Sequence, residues 1–155
     1  MGNVDNSTRQ ELYPLQEGEL RQNTLLYVED NPANLILVER LIARRDDLKL
    51  LSAINGPMGI QVARKHVPDV ILMDINLPGI SGFDVLNILR GDPATAHIPV
   101  IALSSNAYPR DVEKGIEAGF FQYLTKPYKV DALMDAIDAT IQYLAIIRRN
   151  SIGAK

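Results

Sequence analysis

The run Val70-Ile71-Leu72-Met73 carries no charge, ends in Asp74, and is followed by the loop residues Ile75-Asn76-Leu77-Pro78-Gly79. Consecutive apolar residues leave no polar face. Such a segment fits a strand covered on both sides, as in parallel sheets packed between helices. Leu25-Leu26-Tyr27-Val28 repeats the arrangement and ends in Glu29-Asp30. Open α/β sheets present their chemistry outside the carboxyl ends of the strands. Two buried strands that both finish in carboxylates therefore favour a fold in which those acids share one pocket.

Strand and helix signals alternate along the rest of the chain. Residues 1–22 are polar, with no sustained apolar period, and are expected to be a tail or linker. Asn31-Pro32 opens a helix on which Leu35, Val38, Leu41 and Ile42 recur at helical spacing. A second strand is expected over 49–54, a turn at Asn55-Gly56-Pro57, and a helix over 58–66 that Pro68 ends. After the Asp74 strand, Phe83, Leu86 and Leu89 mark a third helix, and 98–103 reads as a strand that tolerates Pro99 near its start. Pro109 to Gly119 bounds a helix, 120–124 a fifth strand, and Val130, Leu133, Met134, Ile137, Ile141 and Leu144 a long last helix. The expected folded domain is 23–148, with 149–155 as a frayed C-terminal end.

This alternation predicts an α/β fold, a doubly wound five-stranded parallel sheet with helices on both faces. Right-handed crossovers leave few topologies, and the flavodoxin-like order 2-1-3-4-5 is the simplest. Its switch point lies between the first and third strands, the two that end in acids.

Composition limits the partners. With 16 basic and 19 acidic residues, the net charge of −3 gives no bulk attraction to nucleic acid or an anionic membrane. There is no cysteine, which removes disulfides, thiolate metal sites and thiol nucleophiles and fits a reducing, cytoplasmic setting. No apolar run approaches a membrane span, and the N-terminus shows no signal peptide.

Three carboxylates crowded at strand ends repel one another, and a hard cation relieves that repulsion. Oxygen-only donors point to Mg²⁺ or Mn²⁺ rather than zinc. A carboxylate so placed can accept a phosphoryl group, with Asp74 as nucleophile. Ser104 and Lys126 follow the fourth and fifth strands and can supply a hydroxyl and a point charge to the phosphoryl oxygens. Ser105 stands next to Ser104 and could take its role. Lys126-Pro127 also invites a cis peptide.

Four segments in order, Tyr27-Val28-Glu29-Asp30-Asn31, Met73-Asp74-Ile75-Asn76-Leu77-Pro78-Gly79, Ala102-Leu103-Ser104-Ser105-Asn106-Ala107 and Thr125-Lys126-Pro127, resemble the receiver domain of bacterial two-component signalling, found in response regulators and hybrid histidine kinases. The resemblance covers 24 to about 145. It implies that Asp74 is the phosphoacceptor and that Glu29, Asp30, Asp74 and the backbone carbonyl of Asn76 hold the metal. Lys126 and Ser104 would bind the phosphoryl group, and Ser104 and Tyr123 would be the switch pair. Ser104 stands where threonine is common and Glu29 where aspartate is common; both keep the functional group.

The resemblance further implies a phosphoprotein that is not an enzyme in the ordinary sense. It would take its phosphoryl group from a histidine kinase or its phosphotransfer domain. It would signal to a protein target through the face of the fourth helix, fifth strand and last helix. The chain could be a stand-alone regulator or the receiver of a hybrid kinase. An Asp-nucleophile phosphohydrolase is the main alternative, but it would want a general acid where Asn76 stands. A flavodoxin-like cofactor binder is disfavoured by the anionic first loop. A receiver that binds partners without phosphate is disfavoured because every reactive group is present.

Overall fold

The computed structural model describes residues 22–153, so the expected tail over 1–22 lies outside the described residues apart from Gln22. Strands β1 (Asn23–Val28), β2 (Leu48–Ala53), β3 (Val70–Asp74), β4 (Val100–Ser104) and β5 (Gln122–Thr125) alternate with helices α1 (Pro32–Ala43), α2 (Gly56–His66), α3 (Gly82–Arg90), α4 (Pro109–Ala118) and α5 (Val130–Gly153). All pairings are parallel and the order is β2-β1-β3-β4-β5, as the alternation predicts.

Alternate residues of each strand enter two separate cores. Leu26, Val28, Ile71, Met73, Val100 and Ala102 pack under α2 and α3 with Ile60, Val85, Leu86 and Leu89. Leu25, Tyr27, Val70, Leu72, Ile101 and Leu103 pack under α1 and α5 with Val38, Ile42, Leu133 and Ile137. Strands β3 and β4 are buried along their whole length, which explains why their sequences show no polar alternation.

The elements depart from expectation at several places; β4, for one, begins at Val100, after Pro99, rather than at residue 98. Asn55-Gly56-Pro57 is a helix start rather than a separate turn: the Asn55 side chain accepts from the Met58 amide at 2.8 Å, and Pro57 occupies the first turn. Strand β5 begins at Gln122 rather than at residue 120, because the Phe120 N–H still bonds back to Gly115 O at 3.1 Å. Helix α5 runs from Val130 to Gly153, past residue 149. Leu144 stays buried and the Arg148 guanidinium meets Asp69 Oδ1 at 2.7 Å, so the helix is anchored below the sheet.

Helix α3 approaches the end of β3 closely, and Gly82 permits it. A Cβ there would lie 2.8 Å from Ile75 Cα and 3.0 Å from Asp74 O, both backbone atoms that cannot swing aside. Gly82→Ala is therefore expected to destabilise the domain by about 2 kcal/mol, as overpacking does, measurable by chemical denaturation.

Candidate functional site

The carboxyl ends of β1 and β3 are neighbours, Val28 pairing with Met73, so Glu29, Asp30 and Asp74 emerge side by side. One carboxylate oxygen from each lies within 4.8 Å of the others. Glu29 is fully buried, Asp74 is 4% exposed and Asp30 is exposed. Lys126, following β5, reaches across the top of the sheet. Its Nζ is 3.4 Å from Asp74 Oδ2 and 3.8 Å from Glu29 Oε1. The Lys126-Pro127 peptide is cis.

Each carboxylate is held by further contacts. Asp74 Oδ1 accepts from the Asn76 N–H at 2.9 Å. Glu29 Oε1 accepts from the Asn34 side-chain amide, while Glu29 Oε2 is buried with no hydrogen-bond partner among the described residues. Burial is the largest reason that the Glu29 carboxyl is pushed up to about 7, and the nearby Asp74 adds to it; Asn34 and Lys126 pull the other way. An orphaned buried oxygen beside two further carboxylates, all of them hard oxygen donors, suits a divalent cation of the Mg²⁺ type. Beneath Glu29, burial pushes the Tyr27 phenol far above its ordinary range; Tyr128, Glu29 and Asp74 push in the same direction.

The other expected residues lie on the neighbouring loop. Ser104 is fully buried, and its Oγ accepts from the Asn106 N–H at 3.0 Å. Asn76 sends its side chain across to this loop, Oδ1 accepting from the Ser105 N–H at 3.1 Å. Tyr123 is half-buried, its hydroxyl donating to Asn106 O at 3.2 Å. The structure thus brings Glu29, Asp30, Asp74 and Lys126 together and sets Ser104 and Tyr123 on either side of Asn106. Reading the sequence missed Asn34. It lies in the first turn of α1, close behind the capping Asn31, and a second amide at that spacing after Glu29-Asp30 was the available signal.

Comparison with known proteins gives the family. Residues 25–138 match the family described as response regulator receiver domain. The chain belongs to the receiver domain family. A polar-differentiation response regulator, DivK of Brucella anthropi, is 37% identical over 114 residues, covering 74% of this chain and 92% of that protein. A probable cyclic di-GMP phosphodiesterase of Vibrio cholerae is 30% identical over 131 residues; the match covers 84% of this receiver chain but only 29% of that longer protein. Among solved structures, the receiver domain of a Pseudomonas aeruginosa sensor histidine kinase, with a magnesium ion coordinated in its active-site cleft, is 30% identical with a TM-score of 0.69, covering 78% of this chain and 98% of that one. No helix among the described residues is long and apolar enough to cross a membrane.

Proposed function

We propose that this receiver domain takes a phosphoryl group onto Asp74 from the phosphohistidine of a histidine kinase or its phosphotransfer domain, and answers by changing its protein contacts. The observation that carries this reading is the Lys126 ammonium set between two buried carboxylates, one of which keeps an unsatisfied oxygen. Burial and the Asp74 carboxyl against it push the Glu29 carboxyl up, a strain that a bound cation would relieve. The domain is then a phosphoacceptor rather than a turnover catalyst.

The chain's own groups define the chemistry. The Asn76 N–H fixes the plane of the Asp74 carboxylate. An Asp74 oxygen forms a bond to phosphorus as the donor's P–N bond breaks, the electron pair and a proton going to the imidazole. Lys126 is placed to meet the charge on the transferred group. Ser104 now accepts from Asn106 N–H and can turn its own O–H toward the phosphoryl oxygen. Glu29, Asp30, Asp74 and the Asn76 carbonyl would hold Mg²⁺ or Mn²⁺, which supplies charge neutralisation across the phosphoryl oxygens. A cleft of about 400 Å³ opens beside Lys126, walled by Asn34, Leu37, Ser105, Pro127 and Tyr128. Its apolar wall suits the donor protein, and its charged end suits the phosphoryl group.

The output surface in this reading is the face of α4, β5 and α5, where Ile116 and Tyr143 are exposed. The phosphohydrolase reading is weaker. Asn76 stands where the general acid is needed, and its side chain is occupied as an acceptor by the Ser105 N–H.

Native protein incubated with a small phosphodonor and Mg²⁺ should gain the mass of one phosphoryl group, mapped to the peptide carrying residues 70–78. No gain, or steady release of phosphate from an ester, overturns the reading.

The cation should also show in stability. Glu29 has a folded pKa raised from 4.5 to about 7, so the native state binds the extra proton between those values. Its contribution is full below 4.5 and is lost as pH rises through 7. Metal binding needs the carboxylate, so it competes with that proton. Saturating Mg²⁺ should therefore raise Tm more at pH 8 than at pH 5.5. Equal shifts at both pH values would remove Glu29 from the ligand set.

A further inference from the structure

Gly115 lies buried within α4, and its φ is not in the left-handed region; among the described residues the glycines with positive φ are Gly79 and Gly119. A glycine inside a helix costs stability relative to alanine, so the backbone gives no reason for it. The packing does. A Cβ on Gly115 would lie 2.4 Å from Tyr123 Cδ2 and 2.7 Å from Cε2, so the ring occupies the space a side chain would take. From that place the Tyr123 hydroxyl donates to Asn106 O at 3.2 Å. The Asn106 N–H donates in turn to the buried Ser104 Oγ at 3.0 Å. Asn106 is thus held on both sides of its backbone, by Ser104 at the end of β4 and by Tyr123 on β5.

We propose that Gly115 is a positioning residue: the missing side chain is the seat of Tyr123, and through Asn106 that seat ties the orientation of the Ser104 hydroxyl to helix α4. Any side chain at 115 displaces the ring, because the ring can move and the helix backbone cannot. The link from Ser104 to a phosphoryl group rests on the function proposed above; the seat itself does not.

The test uses the full chain labelled with 3-fluorotyrosine, the Tyr123 resonance being assigned by its loss in Tyr123→Phe. In Gly115→Ala that resonance should leave its wild-type position while the other tyrosines keep theirs. Gly115→Ala should lower Tm in the wild-type background and raise it in a Tyr123→Ala background, where helix propensity alone remains. With a small phosphodonor and Mg²⁺, Gly115→Ala should still gain one phosphoryl mass, but with a half-life changed at least threefold. An unmoved Tyr123 resonance, or the same fall in Tm in both backgrounds, overturns the seat. An unchanged phosphoryl half-life overturns the tie to Ser104. If wild-type protein takes up no phosphoryl group, the proposed function fails, and the seat is still decided by the resonance and by the sign of the Tm change.

Discussion

Asp74→Asn should abolish phosphoryl uptake, lowering its rate by roughly three orders of magnitude or more, as loss of a nucleophile does. No neighbouring acid is placed to take over. Glu29 is fully buried, with one oxygen engaged by Asn34 and Lys126. Asp30 is exposed, and the ammonium pairs with Glu29 and Asp74 instead. The amide is isosteric, so packing at this 4% exposed position should survive. The same change removes the acid that raises Glu29. The Glu29 carboxyl should then titrate lower, and the metal-free variant should match or exceed wild type in stability at pH 8. Intact mass after phosphodonor treatment and a denaturation curve at pH 8 check both halves. A phosphoryl mass on the variant would mean that another residue is the acceptor.

Much of this was legible in the sequence because the fold writes it there. A strand buried on both faces has to be apolar throughout, so Val70–Asp74 announces both its class and the carboxylate at its end. Right-handed crossovers leave few strand orders, and the simplest of them, the one observed, brings Glu29 beside Asp74. Contacts set by tertiary packing were not legible. Asn34 reaches Glu29 only because α1 starts where it does, and Gly115 looks like a weak helix residue until the Tyr123 ring lies on it. The length of α5 was hidden for the same reason: its last turns are fixed by Arg148 meeting Asp69, two residues far apart in the chain. Local chemistry misled once, at Asn55-Gly56-Pro57. Asparagine, glycine and proline serve turns and helix starts alike, and the Asn55–Met58 bond decides between them.

Lys126→Met should produce the largest combined effect on rate and stability. The ammonium stands 3.4 Å from Asp74 Oδ2 and 3.8 Å from Glu29 Oε1, with its side chain only 23% exposed. Methionine keeps most of the aliphatic stem and removes the charge, so the change reads electrostatics more than packing. Two buried carboxylates then face each other without their cation, which should cost about 3 kcal/mol at pH 8 in the absence of metal. The cost should shrink as pH falls. Below about 7 Glu29 takes up a proton, and losing Lys126, one of the groups holding that carboxyl down, moves its titration higher still. The wild-type and variant stability curves should therefore converge between pH 8 and pH 5. Phosphoryl uptake should fall by about 100- to 1,000-fold, the effect of losing one group that stabilises developing charge. Saturating Mg²⁺ should restore part of the stability and little of the rate, because a bound cation would neutralise the carboxylates without replacing the ammonium that faces Asp74 Oδ2. Curves that stay parallel across this pH range would show that Lys126 supports packing rather than the charge of the pocket.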